Sequence, residues 1–203
     1  MKKGIFIIVA VIACFAIYFF VANKKGEKGG MEKEKPLNIS KTSEFFNASL
    51  QNALSEYYQM HDAFVHWDSA NIIDSLADSL EYYVRAIAFD KLNADSLLVN
   101  TAKNYASAIE AECVSVQKET DIKEQRKSFY TISENMFDLL RTVQYDKEKI
   151  FHIRCPMAFG KDQEGYWLSN KKEIINPYFG DKDPANGDAM LHCGNIEDSI
   201  YAN

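Results

Sequence analysis

Residues 121–144, DIKEQRKSFYTISENMFDLLRTVQ, predict the fold class of the whole chain. Apolar side chains recur three and four positions apart in this stretch, so they share one face of an α-helix. A helix with one apolar face has to bury that face against other elements of the protein. The apolar positions are Ile122, Phe129, Ile132, Met136, Leu139 and Val143.

Three stretches before this one repeat the same spacing. They predict helices over residues 42–65, over residues 69–89, and from the residue after Asp95 through Val116. Long helices joined by short links favour neighbours that run antiparallel. The predicted fold is therefore mainly α, an antiparallel four-helix bundle over residues 37–146.

The character of the sequence changes after Asp146. Residues 149–154 alternate in the manner of a short strand, and the aromatic-rich residues 165–168 are suited to pair with them as a hairpin. Glycine and proline are frequent in the remainder and impose turns. Residues 147–203 are thus predicted to form an irregular lobe with one β-hairpin, packed with the bundle as one domain.

The N-terminus carries an uncharged run of 19 residues, 4–22, between two pairs of lysines. A helix of that length spans the hydrocarbon core of a membrane. We therefore predict a transmembrane anchor over residues 1–22 and a flexible, charged, glycine-containing linker over residues 23–36.

A lipoprotein signal is the alternative for the same segment. Val11-Ile12-Ala13-Cys14 resembles a lipobox, which would make Cys14 the lipidated residue. Both alternatives place the domain in the cell envelope, attached to the cytoplasmic membrane and facing the periplasm.

Charge and motif content exclude several function classes. The chain carries 23 basic and 29 acidic residues, and seven of the basic but only three of the acidic ones precede residue 37. The remainder has a net charge of −10, which would repel phosphate backbones, so no nucleic-acid partner is expected. There is no nucleophile elbow, phosphate loop, His-Glu-x-x-His or Cys-x-x-Cys motif. We therefore predict no enzymatic activity and no catalytic residue.

Several short motifs occur in order between the fourth predicted helix and the C-terminus. They are Gln125-Arg126 with Phe129, Ile132 and Ser133; Cys155-Pro156-Met157-Ala158; Trp167-Leu168-Ser169; Asn176-Pro177-Tyr178-Phe179-Gly180; and Met190 with Cys193-Gly194. This order resembles the family called domain of unknown function 3347, over roughly residues 45–200. Residues 181–189 depart from it, because they form a longer link than is usual in the family.

The resemblance implies a cellular context and no mechanism. In that family the domain occurs alone behind N-terminal signals, or fused to the periplasmic adaptor subunits of heavy-metal efflux pumps. It therefore implies that a component of a metal-efflux system is a partner of this chain, in addition to the membrane that holds its anchor.

The two sulfur-containing motifs suggest a soft-metal site. Thiolate and thioether are the ligands that Cu(I) and Ag(I) prefer, while imidazole suits copper and zinc. The candidate ligands are Cys155, Met157, Met190 and Cys193, with His152 and His192 as alternates. Candidate supporting residues are Arg126, Trp167 and Tyr178. On this hypothesis the chain binds Cu(I) or Ag(I) in metal efflux or homeostasis.

The alternative is a disulfide between Cys155 and Cys193 in a non-catalytic interaction domain of the envelope. Such a bond would close a loop of about 38 residues and stabilise the lobe by roughly 4 kcal/mol in the chain-entropy model. Methionine is also a common filler of apolar cores. The sequence leaves the soft-metal site and the disulfide open.

Overall fold

The computed structural model describes residues 43–200, in which four helices precede a small antiparallel sheet. The helices are α1 (Glu44–Val65), α2 (Ala70–Arg85), α3 (Ser96–Lys118) and α4 (Ile122–Thr142). A 3₁₀ turn, Phe89–Lys91, lies between α2 and α3. The prediction of a mainly helical bundle is confirmed.

Side-chain caps fix where three of the helices begin. Ser43 accepts a hydrogen bond from the backbone N–H of Phe46 at the start of α1. Asp95 accepts one from Leu98 at the start of α3, and Asp121 caps α4 in the same manner. Each cap satisfies a backbone donor that the first helical turn leaves without a partner.

The second helix ends earlier than predicted. The expected end was residue 89, whereas α2 stops at Arg85. The backbone N–H of Ala88 donates to Ser49 Oγ of α1, 3.0 Å away, instead of continuing the helical ladder. A hydrogen bond to another helix therefore determines where α2 ends. The spacing of apolar residues in the sequence does not predict such a contact.

An apolar core joins the four helices. Each helix packs on the next one along the chain. The aromatic ring of Phe129 in α4 closes the bundle onto α1, because its centroid lies 5.1 Å from the ring centroids of both Tyr57 and Phe64. All three side chains have no exposed surface. Large buried aromatic rings of this kind contribute much of the stability of a core.

The sheet has the strand order β2-β1-β3, with β1 (Ile150–Gly160) between β2 (Gln163–Ser169) and β3 (Asn195–Ile200). Both pairings are antiparallel, and β1 with β2 is the predicted hairpin. The prediction of one hairpin alone was incomplete, because β3 adds a third strand. Most side chains of β3 are exposed, so its sequence lacks the alternation that reveals a half-buried strand.

The outer edge of β2 rests on the bundle. The backbone N–H of Leu168 donates to the hydroxyl of Tyr57 at 2.9 Å, and that hydroxyl also lies 2.7 Å from Ser133 Oγ. A strand edge left open would expose unpaired backbone groups. Tyr57 therefore satisfies the edge of β2 and positions the sheet against the helices.

The predicted anchor (residues 1–22) and linker (residues 23–36) lie outside the described residues. Within residues 43–200, no helix combines the length and the apolar character needed to cross a membrane.

Candidate functional site

The two C-terminal cysteines meet beside the central strand. Cys155 lies in β1, and Cys193 lies two residues before β3, the strand that pairs with β1. Their sulfur atoms are 2.9 Å apart, and both residues are free cysteines. Cys155 has no exposed surface and Cys193 is half-buried. The pairing of β3 with β1 therefore brings together two thiols that are 38 positions apart in the sequence.

Asn176 holds the segment that carries Cys193. Its side-chain amide donates to the carbonyl of Cys193 at 2.7 Å, and its side-chain oxygen accepts from the backbone N–H of Tyr178 at 2.8 Å. Its own N–H donates to the carbonyl of Leu191 at 2.8 Å. The residue is fully buried. One asparagine thus joins the Asn-Pro-Tyr-Phe-Gly turn to the Met190–Gly194 segment.

The residue after Cys193 has to be glycine. Gly194 adopts φ +157°, and a Cβ built there would lie 2.8 Å from the ring of Trp167. Only a residue without a side chain tolerates both that backbone conformation and that approach. Trp167 also packs edge-on against Tyr178, with ring centroids 5.9 Å apart. Trp167, a predicted supporting residue, therefore forms the wall on which the Cys193 segment lies, and Tyr178, another predicted supporting residue, packs against Trp167.

The loop between β2 and β3 covers the C-terminal end of α1 with Asp181 and Lys182. The backbone N–H of Asp181 donates to the carbonyl of Val65, and the Nζ of Lys182 donates to that of His66, both at 2.9 Å. Helix C-termini leave carbonyls without helical partners, and basic side chains nearby are favourable. The lobe is thus attached to the bundle by hydrogen bonds to the backbone of α1.

His152, an alternate ligand in the metal hypothesis, is engaged elsewhere. Its Nε2 lies 2.7 Å from the carboxylate of Glu134, and its ring is stacked between those of Phe137 (4.0 Å) and Tyr166 (4.7 Å). Successive side chains of a strand point to opposite faces. His152 therefore faces α4, whereas Cys155, three positions later, lies with Cys193.

The remaining candidate ligands are partly exposed or already bonded. Met157 is 45% exposed. Met190 is half-buried, and His192 Nδ1 lies 2.8 Å from the carbonyl of Ile174. Within residues 43–200, no group of three or more His, Cys, Asp or Glu side chains is placed to hold a metal ion. The soft-metal site stays a prediction.

Burial affects the chemistry of the thiol pair. Desolvation, together with the hydrogen bond to Cys155, raises the pKa of Cys193 to about 12. The thiolate is the form that attacks electrophiles and binds metal ions. At neutral pH the reduced Cys193 is therefore protonated and is a poor nucleophile.

Asn176 belongs to one of the sequence motifs, and its structural role was not predicted. The sequence does contain a signal for part of this role. An asparagine at the start of a turn commonly accepts hydrogen bonds from backbone N–H groups, and Asn176 directly precedes Pro177. Its bond to Cys193 joins residues far apart in the sequence, and no local pattern reports such a contact.

Residues 53–148 match the family model described as Protein of unknown function (DUF3347). This segment is similar to that family. The predicted resemblance is thereby confirmed over the matched segment, which runs from within α1 to the beginning of the C-terminal lobe. The DUF3347 match ends before Cys155, so it covers most of the helical bundle and not the thiol pair. No curated protein and no solved structure matches the chain.

Proposed function

We propose that the chain is a non-catalytic binding domain of the cell envelope, attached to the cytoplasmic membrane by its N-terminal segment, in which a Cys155–Cys193 disulfide fastens the lobe. The observation that supports the disulfide is the 2.9 Å separation of the two sulfur atoms. A disulfide needs about 2.05 Å, so a shift of less than about 1 Å completes the bond.

The oxidation is balanced by an oxidant of the compartment. Two thiols lose two protons and two electrons to a second disulfide, which is reduced to two thiols as the bond between Cys155 and Cys193 forms. Disulfides persist in oxidising compartments such as the periplasm, where we propose that the domain lies. The bond would hold the segment before β3 against β1.

Binding of Cu(I) or Ag(I) is the second candidate function, and the same pair supports it, since two soft ligands lie side by side. Metal–thiolate bonds of about 2.3 Å separate two sulfurs on one tetrahedral ion by roughly 3.8 Å. The pair would have to move apart and lose its protons, one of which is bound with a pKa of about 12. The disulfide therefore ranks first.

The resemblance to a family that also occurs fused to efflux-pump adaptors supports an envelope partner in metal efflux. On this proposal the domain has no catalytic residue and contributes a binding surface. The matched DUF3347 segment, residues 53–148, forms the helical scaffold of that surface.

Thiol counting on the full chain tests the disulfide. Protein isolated from its own membrane is alkylated in denaturant without reductant, digested and measured by mass spectrometry. We expect the peptides of Cys155 and Cys193 to be linked and that of Cys113, a buried free cysteine, to be alkylated. Alkylation of all three residues would contradict the disulfide.

A competition experiment separates the metal candidate from the disulfide. The reduced full chain is titrated with Cu(I) in the presence of a coloured Cu(I) chelator. Uptake of one equivalent that is lost in both Cys155→Ser and Met190→Leu, and kept in Cys113→Ser, would favour metal binding. We expect the chelator to retain the metal in every variant.

A further inference from the structure

A cavity of about 560 Å³ lies between the first turns of α4, the tip of the β1–β2 hairpin and residues 178–186. This volume is within the range of pockets that hold small organic ligands. Its walls are largely aromatic and apolar and include Trp67, Ile122, Met157, Phe159, Tyr178 and Phe179.

A buried cation forms part of this cavity. Arg126 lines it and is only 3% exposed. Its guanidinium lies 4.1 Å from the ring centroid of Trp67, and its Nη2 donates to the carbonyl of Phe64 at 2.8 Å. Its Nε is buried without a hydrogen-bond partner.

Arg126 forms no ion pair with a carboxylate within residues 43–200. In each ion pair of 4.0 Å or less in that range, the positively charged partner is a different residue. A charged side chain that is buried without a counter-ion is destabilising. Burial accordingly lowers the pKa of Arg126 to about 10, which still leaves the guanidinium protonated at neutral pH. The Asp183 carboxylate lies near enough to act on Arg126 electrostatically, but it accepts hydrogen bonds from Ala185 and Asn186 and forms no ion pair with the guanidinium. An anion entering the cavity would supply a direct partner.

The charges around the cavity favour one negative charge. Three cations line it, Lys123, Arg126 and Lys127, against two carboxylates, Glu124 and Asp183. Lys127 is paired with Glu124 at 2.7 Å. The excess of one positive charge is notable because the domain as a whole is acidic, and the positive end of the α4 dipole adds to it.

We propose that this cavity binds a small organic molecule with a single carboxylate on an apolar body, the carboxylate pairing with Arg126 and the body lying among the aromatic walls. The planar guanidinium presents a fork of donors that matches a carboxylate. Cys155 and Cys193 do not line the cavity, so this proposal is independent of the thiol pair.

The two tryptophans of the chain provide an internal control for the test. Trp67 lines the cavity and donates its indole N–H to the carbonyl of Phe179, whereas Trp167 does not line it. The ¹⁵N-labelled full chain in lipid nanodiscs is titrated with 3-phenylpropionate and with 3-phenylpropan-1-ol, which has the same body without the charge. We expect the carboxylate to shift the indole signal of Trp67, to leave that of Trp167 unchanged, and to bind at least about tenfold more tightly than the alcohol.

Variants locate the binding site. Arg126→Gln should weaken binding of 3-phenylpropionate by about tenfold to a hundredfold, the usual effect of losing a hydrogen bond to a charged group. Because that variant also loses the bond to Phe64, a second one narrows the cavity: Ala185→Trp, at an exposed lining residue. The matched control is Ala111→Trp, at an exposed residue of α3 outside the cavity, which should bind as the unmodified chain does.

Three results would overturn the proposal. One is equal affinity for 3-phenylpropionate and its alcohol, which would remove the role of the charge. Another is unchanged binding in Ala185→Trp, which would place the ligand elsewhere. The third is a Trp67 signal that does not move at millimolar 3-phenylpropionate.

Discussion

The helical bundle and the C-terminal lobe share one apolar core, and the lobe adds hydrogen bonds between distant segments. In the bundle, apolar side chains from all four helices pack into one core, and Phe129 between Tyr57 and Phe64 is representative. In the lobe, single contacts join distant segments, as Asn176 does with the carbonyl of Cys193. Buried side chains of the lobe, such as Trp167 and Leu168, belong to the same core. The lobe therefore combines apolar burial with specific bonds between distant segments, whereas the bundle depends mainly on burial.

The thiol pair lies in the part of the protein that the family match does not cover. The DUF3347 match covers most of the bundle, from within α1 onward, whereas the thiol pair lies in the lobe. Segments held by a few contacts open with a smaller free energy than a packed core. A cross-link between Cys155 and Cys193 would therefore act directly on local opening of the segment before β3, in addition to its effect on global unfolding.

The largest expected effect is in the bundle. Phe129→Ala removes a fully buried ring, so we expect the free energy of unfolding to fall by about 3 to 5 kcal/mol. Urea unfolding followed by circular dichroism measures the change. Phe45→Ala, at a ring that is 78% exposed, is the control and should change it by less than about 0.5 kcal/mol. Similar losses in the two variants would contradict a single core centred on Phe129.

The next effect concerns the thiol pair. Cys155→Ser in protein purified without reductant should lower the free energy of unfolding by roughly 4 kcal/mol, because the unfolded chain loses its cross-link. Reduced, unmodified protein is the control and should be almost as unstable as the variant. Equal midpoints for Cys155→Ser and the non-reduced chain would show that no disulfide contributes.

A smaller effect is expected from Asn176→Ala. The substitution leaves buried backbone groups of Tyr178 and Cys193 without partners, which costs about 1 to 3 kcal/mol. Hydrogen exchange should accelerate at the Tyr178 amide and stay unchanged at Ile132 in the bundle core. Asn170→Ala, at an exposed asparagine, is the control. Faster exchange at both sites would mean that lobe and bundle open together.

The smallest effect is a pH-dependent one on the bundle surface. A hydrogen bond from His61 lowers the pKa of Asp62 below its ordinary value of 3.8. Its carboxylate therefore stabilises the fold above that pH, and the contribution is lost as the pH falls through the lowered pKa. Because Asp62 is exposed to solvent, Asp62→Asn should cost less than about 1 kcal/mol at pH 7.

The measurement for Asp62 is urea unfolding at pH 7 and at pH 3. We expect the difference between Asp62→Asn and the unmodified chain to shrink at the lower pH. Asp138→Asn, at an exposed residue of α4, is the matched control for removing one surface carboxylate at pH 7. A difference that grows on acidification would contradict the assigned hydrogen bond.

The sequence predicted the helices and the hairpin because their signals are local. The first predicted helix, residues 42–65, differs from α1 by two residues at its start. The strand β3 was missed, since most of its side chains are exposed and only its pairing with β1 makes it a strand. The same pairing decides the position of Cys193, so sequence reasoning could name the thiol pair but could not fix its distance.

Spacing and composition by themselves determined the helical bundle and the β-hairpin, because periodic apolar positions act over a few neighbouring residues. The order of the short motifs carried the resemblance to the family. Tertiary structure alone decided that Asn176 bonds Cys193 and that Arg126 lies beside an aromatic cavity. These contacts join residues far apart in the chain. Their geometry follows from how the lobe packs on α1 and α4, and no local pattern in the sequence records that packing.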